Sequence, residues 1–259
     1  MTVGTQLQLH WLFETIAYVV GFRLYLWQRR RRGDVIADGT RWSIVAAAIA
    51  GAAFGSKLLY WLEDPALTLQ HANDLVFLMA GKTVVGGLVG GLIAVEATKK
   101  FIGVRESTGD LFAVPLALGI AIGRIGCFLA GLQDRTYGLP TSMPWGVDFG
   151  DGIPRHPTQL YEAAFLAWLA WYLARASRAS NTSRVSLQSH PHVNGDLYKL
   201  FMVSYLGLRL AIDFIKPGLA FAGLTSIQWV CLLTLVHYRR DIVRWNVQNT
   251  RWVPRSANE

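Results

Sequence analysis

The stretch Arg155–Ala174, "RHPTQLYEAAFLAWLAWYLA", decides the reading of the whole chain. Its second half is one of the greasiest runs in the protein; its first half packs an arginine, a histidine, a threonine, a glutamine and a glutamate into eight residues. Pro157 suits the first turn of a helix, where its missing N–H costs nothing, and the polar residues before it can cap that turn. Capping accounts for Pro157 and Thr158. It gives no reason for Gln159 and Glu162, one turn apart and inside the apolar helix. A polar site at the edge of a membrane does.

The rest of the chain supports a membrane setting. Mean hydropathy is +0.29 and only 16% of residues are charged, where a soluble domain carries about 25%. A bilayer crossing needs roughly 20 mainly apolar residues. Seven windows qualify: about 8–27, 42–62, 76–98 (broken near Gly81–Lys82), 109–131, 157–174, 198–216 and 224–238. The expectation is a single all-α polytopic membrane domain over 1–259, with seven transmembrane helices. Residues 132–156 form a small outer loop subdomain, and 177–197, rich in Ser, Asn and His, a flexible cytoplasmic loop.

Charge placement sets the orientation. Most of the 25 basic residues, among them Arg29–Arg32, Arg41, Lys99, Lys100, Arg175, Lys199 and Arg239–Arg240, follow spans one, three, five and seven. The positive-inside rule makes that side cytoplasmic, with the N-terminus outside and the C-terminus inside. A net charge of +8 explained by topology calls for no nucleic acid. The first apolar run has no basic region before it and does not read as a cleavable signal peptide. Cys127 and Cys231 fall inside spans and imply no disulfide framework. No histidine and acid cluster has metal-ligand spacing, so neither metal nor other cofactor is expected. Span three reads "VVGGLVGGLIAV" (84–95), with glycines at i, i+4 that let helix backbones approach closely or line a path for a bulky lipid.

Two arginines break the pattern. Arg124 in "GRIGCFLAG" (123–131) and Arg209 in "YLGLRLAIDF" (205–214) lie about seven residues from the outer ends of spans four and six, on the order of 10 Å below that boundary. An arginine within a span is costly and reads as functional, and its fork suits a phosphate. A plain Arg209–Asp213 pair at i, i+4 or snorkelling of Arg124 would serve as structural explanations. At matching depth, with Tyr205, Asp213, Arg155, His156, Gln159 and Glu162 in the same outer layer, a lipid-phosphate site accounts for more.

"GRIGCFLAG", then "YGLPTSMPWGVDF" (137–149), "RHPTQLYEA", "YLGLRLAIDF" and "GLTSIQWV" (223–230) together resemble prolipoprotein diacylglyceryl transferase over nearly the whole chain. The resemblance implies a bacterial inner-membrane, multi-pass enzyme. Such an enzyme moves the diacylglyceryl group of phosphatidylglycerol to the lipobox cysteine of a preprolipoprotein signal peptide. It also implies that Arg124 and Arg209 bind the lipid phosphate, that Tyr205 and Asp213 flank Arg209, and that Arg155, His156, Gln159, Tyr161 and Glu162 form the family's polar block. Gly126 and Gly138 match family glycines. The chain departs from the pattern at Cys127 (asparagine in the family), at Val85 (the family's histidine before Gly-Gly) and at Leu12 (tyrosine). Thiol transfer needs the thiolate. With Val85 in place of histidine the candidate bases are His156, Glu162 and Asp213, an imidazole being suited to the task. Two alternatives stay open: a phospholipid-binding or transport protein of this fold without transferase activity, and a transferase with another lipid donor or acceptor.

Overall fold

The computed structural model describes residues 3–34, 36–79, 81–183 and 195–250. Helices cover all seven hydrophobic windows. They are α1 (Val3–Arg32), α2 (Asp38–Glu63), α3 (Pro65–Gln70), α4 (Leu75–Met79), α5 (Val84–Ile102), α6 (Asp110–Ala130), α7 (Thr158–Ser183), α8 (Asp196–Ile212), α9 (Ser226–His237) and α10 (Arg239–Thr250). Two of them, Asp38–Glu63 and α6 with its 3-10 continuation to Asp134, are by themselves long and apolar enough to cross a bilayer. The third window is split: α4 ends at Met79, and α5 restarts after Thr83, whose hydroxyl accepts from the Gly86 N–H. The segment expected as a loop over 177–197 begins as helix, because α7 runs on to Ser183; residues 184–194 lie outside the described residues.

Leu166, Leu169, Leu173, Phe201, Met202, Tyr205 and Leu206, from α7 and α8, form the centre of the apolar core with α6 between them. Large hydrophobics such as Phe54, Ile49, Trp168 and Phe101 are exposed on the rim, as expected of helices that face lipid.

Two helix pairs are held by backbone proximity. A Cβ added to Gly55 would lie 2.5 Å from the Gly86 carbonyl oxygen, and one added to Gly90 would lie 2.4 Å from that of Gly51. Gly51 and Gly55 on α2 therefore face Gly86 and Gly90 on α5 with no room for side chains. Gly87 turns toward Ala52 at ordinary contact distance, and Gly91 sits more tightly against Ala48, 3.3 Å from an added Cβ to its carbonyl oxygen. Likewise Gly126 on α6 abuts Phe13 of α1, 2.7 Å from an added Cβ. In lipid, which gives helices no hydrophobic reason to associate, such close van der Waals contact holds them together.

At one end of the bundle, Arg41 is fully buried. Its Nε donates to Asp34 Oδ2 at 2.7 Å and its Nη1 to the Thr108 carbonyl at 3.1 Å, while Arg29 donates to the same Asp34 Oδ2 at 2.7 Å and also pairs with Asp38. Arg41, counted with the loop cations, is thus an interior residue whose charge a neighbour neutralises. Residues 132–156 fold over the other end around two short antiparallel strands, β1 (Val147–Asp148) and β2 (Pro154–Arg155).

Candidate functional site

Glu162, in the second turn of α7, is completely buried and collects the charges of three other segments. Arg209 Nη1 donates to its Oε1 at 2.5 Å, Lys216 Nζ approaches the same oxygen at 3.3 Å, and the Tyr205 hydroxyl donates to Oε2 at 3.2 Å. Arg124 Nε lies 2.9 Å from Oε2, close enough for an ion pair though not aligned for a hydrogen bond. Arg124 and Arg209 are 6% and 4% exposed. The two guanidinium groups that the sequence sets at equal depth on different helices are therefore both drawn to one carboxylate.

Helix ends fix the remaining members. Arg209 Nη2 donates to Asp213 Oδ1 at 3.0 Å, so the intrahelical pair exists too, beside the contact with Glu162. Asp213 also accepts from the Thr225 hydroxyl at 2.5 Å. Thr225 is the N-cap of α9, in a capping box with Gln228, and this gives the "GLTSIQWV" motif a local reason. Glu63, at the end of α2, interacts electrostatically with Asp213, Arg209 and Lys216.

The hydrogen-bonded cluster contains three cations (Arg124, Arg209, Lys216) and two carboxylates (Glu162, Asp213), with Glu63 a third carboxyl beside it. It also leaves buried polar atoms without hydrogen-bond partners: Arg124 Nε, Arg209 Nε, and both amide atoms of the fully buried Gln159. Buried donors are almost always satisfied, and an unpaired buried charge is expensive. Idle guanidinium donors are what an anionic headgroup would complete.

The other members of the polar block sit elsewhere. Arg155 is engaged in a two-pronged pair with Asp151, 2.7 Å on each side, and stacks 4.9 Å over the Tyr137 ring. The Arg155 guanidinium holds the Asp151 carboxyl below the ordinary carboxylate range. His156 Nδ1 lies 3.3 Å from the Tyr161 hydroxyl, which accepts from Trp145 Nε1 at 2.8 Å. The His156 backbone is clamped on both sides, its N–H donating to Leu139 and its carbonyl accepting from Gly138. Gly138 itself has no room for a side chain: an added Cβ would lie 2.7 Å from His156 Cβ and 2.8 Å from the Ile215 carbonyl oxygen. Arg155, His156 and Tyr161 thus belong to the cover, Arg124, Glu162, Tyr205, Arg209 and Asp213 to the buried cluster.

Sequence reasoning left Lys216, Thr225 and Glu63 out of the site. Lys216 had a signal, a cation on the side where cations are rare; Thr225 and Glu63 reach the cluster only through the tertiary fold. Val85, where the family's histidine would stand, is buried in the apolar core. Cys127 Sγ lies 3.9 Å from Arg124 Nη1.

The family model described as prolipoprotein diacylglyceryl transferase matches residues 1–238. Among curated relatives, the phosphatidylglycerol–prolipoprotein diacylglyceryl transferase of Bordetella parapertussis is 30% identical, with 87% of each chain covered. The enzymes of that name from Nitratidesulfovibrio vulgaris and Cupriavidus pinatubonensis are 31% and 30% identical, covering 87% and 84% of this chain and 85% and 80% of their own. No solved structure matches.

Proposed function

Since the chain belongs to the prolipoprotein diacylglyceryl transferase family, we propose that it transfers the diacylglyceryl group of phosphatidylglycerol to the lipobox cysteine of a preprolipoprotein, with the Glu162 cluster as the phosphate site. The observation that carries this reading is the convergence of Arg124, Arg209 and Lys216 on one buried carboxylate, with guanidinium nitrogens left without hydrogen-bond partners.

In this reading the seven hydrophobic helices cross the bacterial inner membrane with the N-terminus outside. The cluster then faces the outer leaflet, from which both the lipid and the exported signal peptide arrive. The lipobox thiolate attacks the glyceryl carbon that bears the phosphate. A C–S bond forms, the C–O bond breaks, and the electron pair leaves with glycerol phosphate. Charge grows on the departing phosphate oxygen, and cations already fixed by the fold stabilise it without reorganising. Removing a single preorganised donor of this kind costs about 10²–10³ in rate.

The thiol's proton needs an acceptor. Glu162 is already engaged by three cations and Asp213 by Arg209 and Thr225. His156, in the cover where a peptide would arrive, is the better candidate; its ring already takes part in a hydrogen bond with Tyr161. Purified protein supplied with phosphatidylglycerol and a lipobox peptide should yield a peptide heavier by one diacylglyceryl group in mass spectrometry. Product from Arg124→Ala or Arg209→Ala at the wild-type rate would defeat the reading. The apolar Val85 favours a second version, in which donor or acceptor differs; the mass of the product separates the two.

A further inference from the structure

Close to the arginine cluster is a second convergence, to which the transferase reading gives no task. His10 of α1, Cys127 of α6 and Asp134, in the 3-10 turn after α6, bring one ring nitrogen, one sulfur and one carboxylate oxygen within 4.8 Å of one another. More than a hundred residues separate His10 from the other two, so no spacing along the chain announces the group. The fold assembles it where Gly126 lets α1 and α6 touch.

The histidine of the group stands beyond hydrogen-bond reach of the carboxylates around it. His10 Nδ1 lies 3.8 Å from Asp134 Oδ1 and has no hydrogen-bond partner, although it is buried. Bonds of about 2.0–2.3 Å in tetrahedral geometry set ligand atoms roughly 3.3–3.6 Å apart, so atoms already within 4.8 Å of one another each need to draw in by about 1 Å at most to hold an ion. The other ring nitrogen, His10 Nε2, faces Glu14 Oε2 at 3.8 Å, and that oxygen is also buried and without a hydrogen-bond partner. Glu14 Oε1 is already held by the Tyr18 hydroxyl at 2.8 Å and by Lys82. A carboxylate fixed on one side and presented to the far nitrogen of a histidine is the outer support that metal-bound histidines usually have.

We propose that His10, Cys127 and Asp134 form a three-ligand site for a divalent transition-metal ion, zinc being the best match, with Glu14 orienting His10. A thiolate, an imidazole and a carboxylate are borderline ligands that suit zinc and not magnesium or calcium. Two anionic ligands balance the ion's two charges, so the loaded site does not repel Arg124, whose Nη1 is 3.9 Å from the same sulfur. Three protein ligands leave a fourth position open.

Cobalt(II) titrated into the purified full-length protein in detergent tests this. One equivalent should produce a sulfur-to-cobalt charge-transfer band in the near ultraviolet, and zinc should bleach it. Cys127→Ser should remove the band, whereas Cys231→Ser, which alters the other free cysteine, should keep it. Glu14→Gln should weaken binding about 10–100-fold. Helical circular dichroism and the gel-filtration profile confirm that each variant is folded. No saturable cobalt binding to the folded wild-type protein, or an undiminished band in folded Cys127→Ser, would overturn the site; unchanged affinity in Glu14→Gln would remove Glu14 from it.

Discussion

Two carboxylates in this protein each hold two arginines, and they are finished to different degrees. Asp34 receives Arg29 and Arg41, Asp38 takes a further bond from Arg29, and the Thr108 carbonyl uses a spare donor of Arg41. Charges there balance, two against two. Glu162 receives Arg124 and Arg209 as well as Lys216, and the two arginines are left with donors that nothing accepts. The first node closes on itself and ties the loop after α1 to the start of α2. The second, built on the same motif, leaves donors unanswered. A buried ion pair is weak evidence for stability or for function taken alone; completeness is what tells the two apart.

That contrast can be broken by mutation. The largest effect expected is on turnover: Arg124→Ala and Arg209→Ala should each lower diacylglyceryl transfer by about 10²-fold or more, with insertion into membranes and the helical spectrum unchanged. Next comes Asp34→Ala, which strands the buried Arg41 and should cost about 3–5 kcal/mol, read as a lower melting temperature in detergent with residual activity per folded molecule retained. Gly55→Val forces a side chain into the α5 backbone and should cost about 1–3 kcal/mol in the same melting experiment.

Acidification sharpens the comparison further. Burial alone would raise the Asp34 carboxyl, but hydrogen bonds from Arg41 and Arg29 outweigh it and hold the group below the ordinary carboxylate range. A lowered folded-state value means that the stabilisation is complete above the unfolded value and is lost as pH falls through the folded one. Melting temperature should therefore drop on acidification below about pH 4, and Asp34→Asn should flatten that part of the profile. The smallest effect belongs to Asp151→Asn, which frees Arg155 on the exposed cover. Melting temperature should drop only slightly and activity should stay near wild type, because the pair, though two-pronged, is partly open to solvent on the Asp151 side.

Much of this was legible in the sequence, for a physical reason. The hydrophobic windows are dense enough that every one falls on a helix, and the break near Gly81–Lys82 is where α4 and α5 part. Arg124, Arg209 and Glu162 stood out because charge inside apolar helix is costly, and the fold brings all three together. Periodicity could not show that Arg155 and His156 turn into the cover: neighbours along the chain diverge where a strand gives way to a helix, and a backbone clamp through Gly138 decides the direction. Arg41 looked like a solvated loop cation because its partner Asp34 comes close only once the chain reverses. The group of His10, Cys127 and Asp134 was invisible for the same reason.

The glycine faces of α2 and α5 carry a consequence for traffic through the molecule. With Gly51 and Gly55 laid directly on Gly90 and Gly86, this seam is a weld that has no side chains to swing aside and no width for an acyl tail. If the arginines hold the lipid phosphate as proposed, a two-tailed substrate reaches them by another route, and clamping α2 to α5 with an engineered cross-link should leave its passage untouched.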